Sequence, residues 1–339
     1  MTVVVHAADL HINSPLRRLA RHYPGEDWHA PTRDALAHLV TATTDVAADV
    51  LVLAGDIADR EWYDDDVARL FSEALGLLDD AGVTVVVIDG NHDVACGIRQ
   101  DVTEPVRRLP PNVVWCDDDA AHTTVLESAG LAVHGRGLPA ATVAEDLTRT
   151  FPARTPGLVN MGVQHTSLDN RRGGRPCAPT TVEALLDLEY DYWALGHAHT
   201  RQVVHSAPWI VFPGNTQGRK ATEPGPKGAT VVTADPHGVT GVQHLELSSV
   251  RWECLTVRCS GHDAPDDVIE RTHTELNAAA RRLRPGQRLA ARIELTEACR
   301  SERRAAAVEA GIRSLAGSDP RYLVEEVRTP GASGPRTRP

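Results

Sequence analysis

Five short apolar runs in this chain each stop at a side chain able to bind a cation, and no other feature limits the fold as strongly. "TVVVHA" (2–7) leads to Asp9 and His11, and "VLVLA" (50–54) to "GDIAD" with Asp56 and Asp59. "VTVVVID" (83–89) leads to "GNHD" with Asn91, His92 and Asp93. "LVNMGVQ" (158–164) leads to His165, and "YDYWAL" (190–195) to "GHAH" with His197 and His199. Runs this short and apolar on both faces read as buried, largely parallel strands. Open α/β sheets place ligands beyond the carboxyl ends of their strands. If the chain stays extended past residue 7, Asp9 and His11 lie on one side, because alternate residues of a strand share a face. Gly55, Gly90 and Gly196 allow sharp turns at three of these ends.

The segments between the runs have helical period. Residues 31–48 carry Leu36, Leu39, Val40 and Val46 as a stripe behind Pro31, a residue suited to a helix start. "DDDVARLFSEALGLLDDAG" places Val67, Leu70, Phe71, Ala74, Leu75 and Leu78 on one face, between an acidic start and a stop at Gly82. Further strands are expected at 131–135, 157–165, 191–196, 209–213, 229–233 and 239–247. From Ser248 the order becomes strand, helix (265–284), strand, helix (301–316), strand, enough for a small separate domain. The expectation is therefore an α/β protein with a first domain over 1–247, a second over 248–328 and a disordered Pro/Gly/Arg-rich tail over 329–339.

Bulk properties narrow the function. The net charge of −11 argues against gripping nucleic acid by bulk electrostatics, so such a role needs local basic loops or bound metal. Six scattered cysteines without a C-x-x-C pair form neither a disulfide framework nor a thiolate zinc site. No apolar run approaches membrane-spanning length, and the first strand leaves no room for a signal peptide, so a cytoplasmic setting is expected.

Each polar residue alone has an ordinary explanation. Asp56 and Asp93 can be caps, Asn91 a left-handed turn residue, and His165 or His134 a satisfied core histidine. Five loops agreeing in one register are harder to explain that way. The set D-x-H, G-D-x-x-D, G-N-H-D, a lone His and G-H-x-H, in this order, resembles the signature of calcineurin-like metallophosphoesterases. "HAADLHINSPLRRL", "VQHTSLDNRRG", "DYWALGHAHTRQVV" and "WIVFPGNTQGRKATEPGPKGATVV" are further similar to the SbcD/YhaO-type DNA repair exonucleases. The likeness is close over roughly residues 1–250 and in outline beyond.

The resemblance implies a four-layer sandwich, two mixed β-sheets flanked by helices, with a small α+β C-terminal capping domain. It implies two divalent ions, most often manganese: one held by Asp9, His11 and His199, the other by Asn91, His165 and His197, with Asp56 bridging. Two such ions about 3.5–4 Å apart can activate water and stabilise the leaving oxygen of a phosphodiester. His92 matches the family's non-ligand catalytic histidine, able to protonate the leaving group. Asp93 is expected to orient an imidazole from behind. Where DNA repair members often carry a second catalytic histidine, this chain has Asp59, which leaves His92 the clearest acid. Such nucleases commonly continue into a segment that docks an SMC-like coiled-coil ATPase. This chain runs about a dozen residues past Val327, so docking is expected elsewhere, more weakly, or not at all.

Arg171, Arg172 and Arg175, then Arg219, Lys220 and Lys227, lie in two loops expected over the metal edge, where they can hold a phosphate backbone. DNA as substrate, the ATPase as partner and a homodimer follow from the resemblance; a membrane does not. Two other readings stand beside the nuclease. One is a small-molecule nucleotide phosphodiesterase or phosphatase using the same metals, the other a non-catalytic scaffold. Scaffolds on this fold tend to lose ligands, and this chain keeps all seven.

Overall fold

A computed structural model describes residues 1–103, 109–168, 176–297 and 301–329. In chain order the elements are β1 (Thr2–Ala7), α1 (Arg17–His22), α2 (Ala30–Asp45), β2 (Val50–Ala54), α3 (Asp65–Asp80), β3 (Thr84–Ile88), α4 (Asn91–Cys96), α5 (Ile98–Thr103) and β4 (Val113–Trp115). They continue with β5 (His122–Leu126), β6 (Leu131–Arg136), β7 (Val159–His165), α6 (Val182–Leu186), β8 (Tyr192–Gly196), β9 (Gln202–Ser206), β10 (Trp209–Phe212), β11 (Gly228–Asp235) and β12 (Gly238–Glu246). The last are β13 (Val250–Val257), α7 (Pro265–Ala280), β14 (Arg288–Leu295), α8 (Glu302–Gly317) and β15 (Tyr322–Arg328). None of the described helices is long and apolar enough to cross a membrane.

The first compact unit comprises residues 1–14, 32–217 and 227–247 and holds two six-stranded mixed sheets. One runs β12-β11-β1-β2-β3-β4, with parallel pairing from β1 to β4 and antiparallel pairing at β11 and β12. The other runs β5-β6-β7-β8-β10-β9, with a parallel centre and an antiparallel strand at each edge. Strand period explains the layers. In β2, Leu51 and Leu53 face a core shared with α2 and α3, while Val50, Val52 and Ala54 face the second sheet. Tyr190, Trp193, Leu195 and Ile210 back the second sheet, together with Leu185 of α6. This is the expected two-sheet sandwich flanked by helices. The helix α3 begins as its acids predict, with the Asp64 carboxylate accepting the Val67 N–H at 3.0 Å. Its buried face includes Ala68, while Leu70 is only partly covered.

The second unit comprises residues 15–31, 218–226 and 248 onward, and so takes two segments that the expected single cut at 247/248 assigns to the first domain. Its three-stranded parallel sheet, β13-β14-β15, carries α7 and α8 on one face through Val268, Leu276, Val308 and Ile312. The other face, Val250, Trp252, Ala290 and Leu323, would be bare without Leu16, Leu19, Trp28 and Ala221, which explains the recruitment. Arg292 reaches Glu325 through two hydrogen bonds of 3.0 Å, and Arg18 of α1 adds a third of 2.7 Å. Trp252 is fully buried and its Nε1–H donates to Gly218 O at 2.7 Å. Trp252→Ala is expected to destabilise this unit by about 3–5 kcal/mol, read as an earlier transition in denaturant.

Candidate metal centre

The five strand ends meet. Donor atoms of Asp9, His11 and His199 lie within 4.8 Å of one another, as do those of Asp9, Asp56 and His165, and those of His11, Asp56 and His92. Asp56 Oδ2 stands 3.8 Å from His11 Nε2 and 3.5 Å from His165 Nε2, so one carboxylate oxygen faces both halves of the cluster. His165 Nε2 is also 3.2 Å from Asn91 Oδ1, and its ring packs edge-on to that of His197 with centroids 5.3 Å apart.

The backbone reaches this arrangement by a route the strand pattern does not show. Asp9 and His11 are not extended: their φ angles are 52° and 44°, with Asp56 at 55° and His197 at 100°. Left-handed backbone is costly for residues with a β-carbon, and such strain concentrates at functional sites. The neighbouring loop stabilises it: Asp9 N–H donates to Gly55 O at 3.0 Å and His11 N–H to Asp56 O at 3.1 Å. Of the three glycines, only Gly55 has positive φ, at 84°. Gly90 and Gly196 serve close approach instead. A Cβ on Gly90 would sit 2.3 Å from Asp56 N, and one on Gly196 would sit 1.9 Å from Ala54 O.

Side-chain hydrogen bonds aim the donors. Asp9 Oδ2 accepts the His197 N–H at 3.0 Å, while Oδ1 is buried with no hydrogen-bond partner among the described residues. His165 Nδ1 donates to Ala54 O at 2.8 Å, so whenever the ring is neutral its Nε2 lone pair faces Asn91 Oδ1, itself an acceptor. Carboxylate, amide and imidazole acceptors converging on one buried spot make a ready cation site. Asp9, Asp56 and Asp93 are each at most 2% exposed, and their partners are imidazoles and backbone amides rather than Lys or Arg. Burying carboxylates this way is expensive unless positive charge compensates. Burial raises the pKa of Asp9, and burial followed by the Asp56 and Asp89 carboxylates lifts Asp93 to about 8. Burial opposes a charge on His165, yet the adjoining Asp56 carboxylate holds its pKa up at about 9. Burial and the neighbouring His165 push His197 down to about 4, keeping its lone pair available. The donors present fit a pair of divalent cations.

Residues 2–201 match the sequence profile of the calcineurin-like phosphoesterases. The chain belongs to that family. Its members are metallophosphoesterases, hydrolases built around a two-metal centre, and the chain falls where the sequence resemblance places it. It is 28% identical over 261 residues to the uncharacterized metallophosphoesterase YhaO of Bacillus subtilis, covering 75% of this chain and 62% of that protein. It is 24% identical over 331 residues to the DNA double-strand break repair protein Mre11 of Methanopyrus kandleri, covering 91% and 68%. Against Mre11 of Haloferax volcanii it is 26% identical over 291 residues, covering 80% and 58%. The chain thus spans about three fifths to two thirds of the length of these relatives. Among solved structures, a dimetal phosphatase from Danio rerio is similar at 12% identity and a TM-score of 0.44, over 73% of this chain and 99% of that one.

Other expected site residues fall differently. Asp59 Oδ1 stands 3.5 Å from His92 Nδ1 and its Oδ2 stands 3.7 Å from His11 Nδ1, so it backs two imidazoles. Asp93, expected to orient an imidazole, instead accepts backbone N–H groups from Ala58 at 3.0 Å and Gly90 at 2.9 Å, tying two site loops together. His134 is a core residue, bonded to Thr123 and Asn160 and stacked on Tyr190. Arg171, Arg172 and Arg175 lie outside the described residues. Arg219 and Lys220 belong to the second unit, where Glu223 accepts the Arg219 N–H at 2.9 Å and stands 3.7 Å from Lys220 Nζ. Lys227 is buried, and its ammonium donates to His199 O at 2.6 Å. It therefore holds a site loop and is not an exposed phosphate contact.

Proposed function

We propose that the chain is a metal-dependent DNA nuclease, cutting phosphodiester bonds at a two-cation centre. The observation that carries the reading is the shared carboxylate. Asp56 faces both imidazole groups, and on the family's pattern Asp9, His11 and His199 would hold one cation, Asn91, His165 and His197 the other, with Asp56 available to both. When bound, the pair supplies Lewis acidity at the phosphoryl group and acidifies water. Manganese is the proposed metal, because carboxylate and amide oxygens suit it beside imidazole.

The chain's own groups supply the rest. His92, whose side chain is 27% exposed, stands at the mouth of the cluster with Asp59 behind Nδ1, placed to give a proton to the departing oxygen. Asp59 stands where it can keep that ring oriented. DNA as substrate is supported by the Mre11 relatives, which are named for double-strand break repair. The biological setting we propose is DNA repair or defence, as a homodimer with an SMC-like ATPase.

The net charge of −11 favours a second reading, a phosphodiesterase or phosphatase acting on small nucleotides, for which no extended basic surface is needed. Purified protein loaded with manganese is expected to shorten linear DNA. Intact DNA alongside rapid turnover of cyclic nucleotides or nucleoside monophosphates would instead select the second reading.

A further inference from the structure

One donor at the cluster belongs to none of the family motifs. Cys177 is 3% exposed and is held by a parallel bridge to Val143, with its carbonyl accepting the Ser167 N–H at 2.8 Å. On one side it packs with Leu138, Val143 and Leu147. On the other its Sγ stands 3.7 Å from Asn91 Oδ1 and 3.8 Å from His165 O. Sγ and ring nitrogens of His165 and His197 all lie within 4.8 Å of one another. Asn91, His165 and His197 are the three donors assigned above to the second cation.

We propose that Cys177 is a sulfur ligand of the cation held by Asn91, His165 and His197, and that it shifts this position from manganese toward zinc or ferrous iron. The inference rests on the two-cation reading and deepens it. On ligation the thiol proton passes to solvent and a sulfur lone pair fills the coordination position. A soft thiolate favours zinc and iron, while the Asp9 side keeps harder donors, so the two positions differ in metal preference. The thiol S–H donates to Asn91 Oδ1 and His165 O, and beyond these hydrogen bonds Sγ also lies within 4.8 Å of ring nitrogens of both His165 and His197.

The test uses the full chain reconstituted with cobalt(II), with bound metal counted by elemental analysis. Wild type is expected to bind two cobalt ions and to show a near-ultraviolet thiolate-to-cobalt charge-transfer band, which Cys177→Ser and Cys177→Ala lose. In competition, the zinc-over-manganese preference is expected to fall by about tenfold or more in both variants. Zinc-edge X-ray absorption on wild type, which needs no variant, should show a sulfur shell at about 2.3 Å. Two bound cobalt ions without the band, or a band that survives in Cys177→Ser, overturns the sulfur ligand and leaves the two-cation reading standing. No bound cobalt in wild type overturns both.

Discussion

Gly196→Ala is expected to abolish metal binding and to cost the first unit at least about 3 kcal/mol, beyond the usual range for one added methyl in a core. The reason is where the methyl would go. It would lie 1.9 Å from Ala54 O and 2.7 Å from His165 Nδ1, wedged into the hydrogen bond that aims His165. Neither neighbour can yield. Ala54 ends the fully buried β2, and His165 is paired in register with Gly196 itself. His197, the next residue, would move with the displaced backbone, so the second cation loses two donors together. Gly76→Ala is the control: nothing lies within 4 Å of its added Cβ, and in the interior of α3 it should stabilise by about 0.5–1 kcal/mol. Thermal melting of the two variants should therefore shift in opposite directions, and in elemental analysis only Gly196→Ala should lose metal.

The central strands are read most easily from sequence, although the edge strand β12 is also expected, over 239–247. β1, β2, β3, β7 and β8 lie inside their sheets and read as largely apolar runs. β4, β5 and β9, which the pattern misses, are all edge strands. An edge strand needs apolar residues on at most one face, so "HTTVL" and "QVVHS" carry no clear signature. The trespass of residues 15–31 into the second unit was hidden for a related reason. "LRRLARHY" is too short to show a helical stripe, and its apolar residues find their partners more than two hundred positions later.

At the site, residue identity was legible and backbone conformation was not. Strand ends and glycines mark where the donors lie, because a ligand edge needs a polar group after each buried run. Positive φ at Asp9, His11, Asp56 and His197 has no sequence signal, since it is imposed by hydrogen bonds between loops far apart in the chain. The same holds for Asp93 and Lys227. Charge in a loop reads as a contact for substrate or ring, whereas these two groups satisfy backbone amides and a carbonyl. Cys177 was legible only as a stray cysteine until the fold placed it against Asn91.

His92→Ala is expected to lower turnover of DNA by about 10²–10⁴-fold while leaving the bound metal unchanged, as befits loss of a general acid. The separation of these two effects follows from which atoms of His92 do what. Its backbone N–H donates to Asp56 Oδ1 at 2.8 Å, and that bond steadies the shared carboxylate. Alanine keeps the N–H, so the support for Asp56 survives. Only the ring is lost, with its edge-on packing against His11 at 4.8 Å between centroids and its approach to Asp59. Metal content that falls in step with activity would instead make His92 a ligand, since its ring also lies within 4.8 Å of donors from His11 and Asp56. A second measurement separates an acid from a positioning residue. An aryl phosphodiester with a good leaving group needs little protonation as it departs, so His92→Ala should slow it far less than DNA. Equal losses on both substrates would count against proton donation and leave His92 a role in holding the phosphate.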